Sequence, residues 1–172
     1  GYSNSFGAGW SDIYLIKTDA EGSELWNKTF GGTDHDRAHT ALELADGSLV
    51  IAGYTVSFTS GQKESADTWL IKLDSGGNEI WKNTMGTTDT DYPYDLKLTD
   101  DGGFIIAGYH VSFGITQRDV YLIRADADGK ELWFKGYSGA ETETTERSAS
   151  VHITPDGDYL VAGHTLSTGA GA

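Results

Sequence analysis

The stretch Asp101–Trp133, DGGFIIAGYHVSFGITQRDVYLIRADADGKELW, recurs along the chain. Asp46–Trp81 reads DGSLVIAGYTVSFTSGQKESADTWLIKLDSGGNEIW. A further copy opens at Asp156 as DGDYLVAGHTLS, and Gly1–Trp26 (GYSNSFGAGWSDIYLIKTDAEGSELW) carries the later part of another. A period of about 50 residues marks an array or propeller, in which each unit covers its neighbour.

Each unit holds four short apolar runs parted by turn signals, the spacing of antiparallel strands. The first run is Ala38–Leu44, matched by Pro93–Leu98 and Ser148–Ile153, and it alternates. Asp-Gly follows at 46, 101 and 156, a strong hairpin signal because Gly tolerates positive φ. The second run is LVIAGY, FIIAGY or YLVAGH. Its Ala-Gly pair suggests a close backbone approach. The third, DIYLIKTD, DTWLIKLD or DVYLIRAD, is apolar without alternation, as expected of a strand covered on both faces. The fourth carries Trp26, Trp81 or Trp133. Differences in length between copies fall in loops, which stacked-unit folds tolerate.

Repeated four-stranded antiparallel units describe β-propeller blades, each needing neighbours to bury its two faces. The fold expected is therefore all-β, a β-propeller of four-stranded antiparallel blades with about three repeats. One region, 1–172, holds whole blades at about 38–85 and 93–137 and half-blades at 1–30 and 148–172. Trp26, Trp81 and Trp133 read as indoles wedged between blades, where they bury large apolar area.

Composition narrows the partners. A formal charge of −14 repels nucleic acid and anionic membranes, and it allows cations or basic partners. With no Cys, disulfides, thiolate catalysis and Cys-based zinc sites are excluded. No apolar run reaches the length of a membrane-spanning helix. No signal peptide is visible.

The string D-x-[YW]-L-I-[KR]-x-D-x-x-G-x-E-[LI]-W, then G-x-[ST], an acidic residue and D-G-x-[LFY]-[VI]-x-A-G, resembles the β-propeller repeats of secreted bacterial and archaeal proteins. Its Asp–Gly–Trp portion is similar to the tryptophan-docking repeats of quinoprotein-like propellers. The resemblance covers nearly the whole chain. It implies an extracellular or cell-surface location, with the alternating run as inner strand and the Trp run as outer strand. Propellers host many activities, so fold does not give function. No constellation for a quinone is visible.

Asp36, Asp91 and Glu146 share one repeat position at the entry to the inner strand, where they are expected to ring one mouth of a channel. Asp34 and Asp89 add second carboxylates there, and Glu141 and Glu143 lie in the third loop. Together with carbonyls, such acids suit Ca²⁺, which takes six to eight oxygens. The plainer reading has each accepting backbone N–H groups in its turn. No other cofactor is implied. Asp126 and Asp128 with Gly129 hint at a calcium loop but lack its distal Glu. Asp12, Asp67 and Asp119 open the third strand as turn acceptors. His110 and His164 read as an aligned pair, with no Ser-His-Asp spacing around them. Trp10 has no counterpart in the other copies and is the better surface aromatic, with Phe58 and Phe113 as further loop aromatics.

The function expected is a non-catalytic extracellular module that binds protein or glycan. The alternative is a propeller hydrolase or lyase using the channel-mouth carboxylates. Residues 1–9 and 163–171 match in the repeat, so three repeats are cut in mid-blade. The expected partner is a second copy of the chain, giving a six-bladed homodimer, or further repeats of a longer chain.

Overall fold

A computed structural model describes residues 1–5, 7–59, 65–111, 118–137 and 146–165, with the backbone alone described at 146–149 and 165. Every element is a strand, and all pairs within sheets are antiparallel. Sheet I joins β1 (Tyr2–Ser3), β2 (Asp12–Thr18) and β3 (Glu24–Phe30). Sheet II runs in order through β4 (Asp36–Glu43), β5 (Leu49–Thr55), β6 (Asp67–Leu73) and β7 (Glu79–Met85). Sheet III repeats it with β8 (Thr90–Leu98), β9 (Phe104–Val111), β10 (Arg118–Ala125) and β11 (Glu131–Tyr137). Sheet IV pairs β12 (Glu146–Ile153) with β13 (Tyr159–Thr165). The units thus open a few residues before the expected 38, 93 and 148, at Asp36, at Thr90 just ahead of Asp91, and at Glu146.

The Asp-Gly hairpins are three-residue turns. Gly47 N donates to Leu44 O, and Leu44 N to Ser48 O. Gly47, Gly102 and Gly157 sit at φ near +80°, the left-handed residue that closes such a turn. The Ala-Gly pair answers a steric demand. A Cβ on Gly53 would lie 2.0 Å from Arg37 O, and one on Gly108 would lie 2.2 Å from Tyr92 O.

Each central strand sends alternate side chains to two neighbouring sheets, which is why its run lacks polar alternation. Val50, Ala52 and Leu70 of sheet II cluster with Leu96, Phe104 and Ile106 of sheet III. On the other face of sheet II, Leu49, Ile51, Trp69, Ile71 and Leu73 cluster with Ile13 of sheet I. Ile105, Ala107 and Leu122 of sheet III cluster with Val151 of sheet IV. β6 is accordingly buried along nearly its whole length, whereas β2, with nearly the same sequence, is half exposed toward its end. There β2 lacks the strand that β5 supplies to β6.

The first strand of each sheet is tied to the sheet before it. Asp36 N of β4 donates to Ser11 O, just ahead of β2, and Asp91 N of sheet III to Ala66 O, just ahead of β6, both at 2.6 Å. Val151 N of β12 donates to Asp95 Oδ2 of β8 at 2.9 Å.

Candidate functional site

The aligned acids are buried. Asp36 and Asp91 are both 0% exposed, so neither stands at a solvent-facing mouth. Glu146 has only its backbone described, and Phe113, Glu141 and Glu143 lie outside the described residues. Asp36 accepts Gly32 N (2.8 Å), Ser57 Oγ (2.6 Å) and Thr55 Oγ1. These donors give each of its oxygens a partner, as in the turn-acceptor reading.

Asp91 accepts Thr87 N (2.7 Å) and Thr87 Oγ1 (3.2 Å) on one oxygen, Oδ2, and its Oδ1 is buried without a partner. The register explains the difference. Thr55 faces Asp36 across sheet II, but His110 faces Asp91 across sheet III. No hydroxyl replaces that of Thr55. Burial pushes the Asp91 carboxyl up to about 7, against the Thr87 donors, with Asp67 and Asp89 adding like charge.

The same register corrects the histidine alignment. His164 pairs with Arg147 at the position of Tyr54 and Tyr109, while His110 lies one residue further on. His110 Nε2 sits 3.6 Å from Asp119 Oδ2. Asp34 and Asp89, the outer carboxylates of the acid pairs, are exposed and half-buried. Among the described residues no three His, Asp or Glu side chains gather as a metal-binding group.

A different constellation emerges beside these acids. β-bulges between Ala38 and Thr40 and between Pro93 and Asp95 leave His39 and Tyr94 unpaired in the ladder, and bulges re-aim side chains in this way. His39, Tyr54, Tyr92, Tyr94 and Tyr109 then form one run of ring contacts across sheets II and III. The centroids lie 4.8 Å apart for His39–Tyr94 and Tyr54–Tyr92, 5.3 Å for Tyr92–Tyr109 and 5.6 Å for Tyr94–Tyr109. Two guanidiniums make cation–π contacts nearby, Arg118 at 5.4 Å from the Tyr109 ring of this group and Arg37 at 3.9 Å from the Tyr2 ring. Burial raises the phenol pKa values of Tyr54 and Tyr92, and Arg37 opposes it. Both hydroxyls stay protonated at neutral pH and can donate.

Part of this run lines a cleft of about 460 Å³ with Trp10, Asp34, His35, Arg37, Tyr54, Val56 and Tyr92. Trp10 is 73% exposed, its ring 5.8 Å from that of His35, and Ser11 Oγ holds His35 Nδ1 at 2.8 Å. Trp10 and Asp34 were legible in the sequence as candidates. The tyrosines were not, although Tyr54 and Tyr109 end the same apolar run in two copies. Phe58 packs against Trp69 at 5.3 Å and does not line this cleft.

Trp26, Trp81 and Trp133 are half-buried and pack against three successive core clusters. A Cβ on Gly77 would lie 3.1 Å from the Trp26 indole, and one on Gly129 2.4 Å from that of Trp81. The Trp26 and Trp81 indoles therefore lie on the glycine turns of the next sheets, and the Trp133 ring lies 6.2 Å from that of Tyr159.

No family model matches the chain. A curated relative, the regulatory protein FlaEY of Caulobacter vibrioides, is 24% identical over 110 residues, 58% of this chain and 12% of that protein. The chain thus spans about an eighth of that relative's length. Among solved structures, a protein of unknown function from Bacteroides caccae aligns with a TM-score of 0.52 at 10% identity, covering 86% of this chain and 49% of that one. That likeness concerns the fold alone.

Proposed function

We propose that this chain is a non-catalytic binding module of β-propeller type, placed outside the cell or on its surface, whose ligand is a glycan. The observation that carries the reading is the Trp10–Arg37–Tyr54–Tyr92 cleft. Its volume falls in the range of small-ligand sites. An exposed indole offers a face to the C–H side of a sugar ring. Tyr54 and Tyr92 hydroxyls, the Arg37 guanidinium and the Asp34 carboxylate supply donors and acceptors for sugar hydroxyls around it. The stacked four-stranded units, their adjoining first strands and the indole-on-glycine contacts support the propeller reading.

A glycan array followed by calorimetry tests the function. The expected result is a saccharide ligand whose affinity falls at least about tenfold in Trp10→Ala and in Tyr54→Ala, each folded as the parent. Absence of any binder on the array, or binding indifferent to both substitutions, overturns the glycan assignment.

The hydrolase or lyase reading has one observation in its favour, the raised pKa of Asp91. A general acid must lie within hydrogen-bond reach of the proton it moves. Asp91 is 0% exposed and lines none of the clefts described, so its burial accounts for the shift without catalysis.

A further inference from the structure

Arg37 is the cation of the candidate cleft, and among the described residues its charge has no partner. Arg37 faces Tyr54 across sheet II, so the guanidinium and the phenol stand on one face, about 5 Å apart at Cβ. Tyr92 reaches the same place from sheet III, its ring 4.8 Å from that of Tyr54. The Arg37 charge acts on both hydroxyls, opposing the rise in pKa that burial causes. Two contacts fix the side chain. Its Nε donates to Ser11 Oγ at 3.5 Å, and its face lies 3.9 Å from the centre of the Tyr2 ring. Ser11 is buried and is held in turn by His35 Nδ1 at 2.8 Å. Neither contact neutralises the guanidinium. Lys17, Lys82, Lys97 and Arg124 each meet a carboxylate at 3.1 Å or less. Arg37 does not, although Asp34 lines the same cleft. With 26 acidic residues against 12 basic ones, carboxylates are not scarce. Nor does the stack require the charge. Sheet III carries Tyr92 at this repeat position and sheet IV carries Arg147, so the strand forms with or without a guanidinium there.

We infer that the saccharide of this cleft is acidic, a uronic acid whose carboxylate lies on the Arg37 guanidinium with the Tyr54 and Tyr92 hydroxyls beside it. The inference rests on the glycan reading and names the class of sugar. A guanidinium is a planar fork that matches a carboxylate. With Nε turned to Ser11, its two terminal nitrogens remain for an incoming anion. The two phenols, protonated at neutral pH, add O–H donors at the same place. Charge-assisted hydrogen bonds of this kind are about twice as strong as neutral ones. A neutral sugar brings hydroxyls alone and leaves the charge unanswered. The net charge of −14 opposes the approach of any anion. That opposition comes from distant, exposed carboxylates and is screened over about 8 Å at physiological salt, whereas the contact with Arg37 acts at hydrogen-bond distance. Asp34 accepts hydrogen bonds and cannot donate them when ionised. A uronic acid carries both a carboxylate for Arg37 and ring hydroxyls for Asp34, so the two charges of the cleft orient it. The exposed Trp10 indole then meets a C–H face of the ring.

Calorimetry on the full chain tests this with tetrasaccharides of galacturonate, glucuronate, mannuronate and guluronate, each beside its methyl ester. The ester keeps the sugar ring and removes the charge. At least one acid is expected to bind tighter than its ester by a factor of about ten or more, as a contact to a charged group gives. In Arg37→Gln that ratio is expected to fall to near one. In Arg37→Lys it should recover only in part, because an ammonium keeps the charge without the fork. The parent comparison needs no substitution, so it decides even if a variant fails to fold. Acid and ester bound alike by the parent, or neutral saccharides bound while no uronate is, overturns the acidic assignment and leaves the glycan reading standing. A ratio unchanged in a folded Arg37→Gln, or kept in full by Arg37→Lys, overturns the pairing of carboxylate with guanidinium fork. Binding of no saccharide, acidic or neutral, overturns both readings.

Discussion

Asp36 and Asp91 occupy one position of the repeat and live in different chemistry. Three donors converge on Asp36, whereas Asp91 has one oxygen buried without a donor, and a buried carboxyl short of hydrogen bonds prefers its proton. Unfolded, Asp91 releases that proton near 3.8, and folded near 7. Between those values the folded chain binds a proton that the unfolded chain has released. Its contribution is therefore complete below about pH 4, declines as pH rises through the window and is gone above 7. At about 1.4 kcal/mol per pH unit, stability is expected to drop by roughly 2–3 kcal/mol between pH 5 and 7. Asp91→Asn should flatten that slope, as read by denaturant melts at several pH values. Parallel slopes in parent and variant would mean that Asp91 is charged in the fold. The alignment of the two acids was legible in the sequence, but their different environments were not. The deciding partners, Thr55 and His110, lie 19 residues further along each unit, and identifying them needs the strand register. The pairing of His110 with His164 was an error of sequence alignment alone, since FIIAGY and YLVAGH already set His164 against Tyr109.

At the scale of the elements, the four-strand unit, its Gly turns and the crowding at Ala-Gly were all written in local residue types. The bulges at His39 and Tyr94 were not, and they build the aromatic run that became the candidate site. Periodicity counts alternate residues, so an extra one looks like a break in pattern rather than a re-aimed ring. The tryptophan position was legible as a wedge, and its seat is now specific. Trp81 reaches Phe104 at 6.3 Å and lies over Gly129. Trp81→Ala is expected to destabilise by about 2–4 kcal/mol, toward the lower part of the range for large aromatics because the indole is half-buried. Gly129→Ala adds left-handed strain, since φ is +73°, and also a Cβ pressed on the indole. A double-mutant cycle in urea should find Gly129→Ala less harmful when Trp81 is already Ala, with a coupling of about 0.5–3 kcal/mol. Strict additivity would mean that the indole does not rest on that turn.

Across the whole molecule, successive sheets repeat their contacts. The Trp26 and Trp81 indoles lie on the next glycine turns, alternate residues of β5 and β9 fill the gaps from sheet II to III and from III to IV, and β4, β8 and β12 lie side by side. The candidate cleft lies where three sheets meet, since Trp10 precedes β2, Arg37 and Tyr54 belong to sheet II and Tyr92 belongs to sheet III. Calorimetric titration of a saccharide ligand into the parent and into Trp10→Ala tests that site most directly. An affinity lower by a factor of about ten, or about 1.4 kcal/mol, is expected for Trp10→Ala. Equal affinities in two equally folded chains would contradict it.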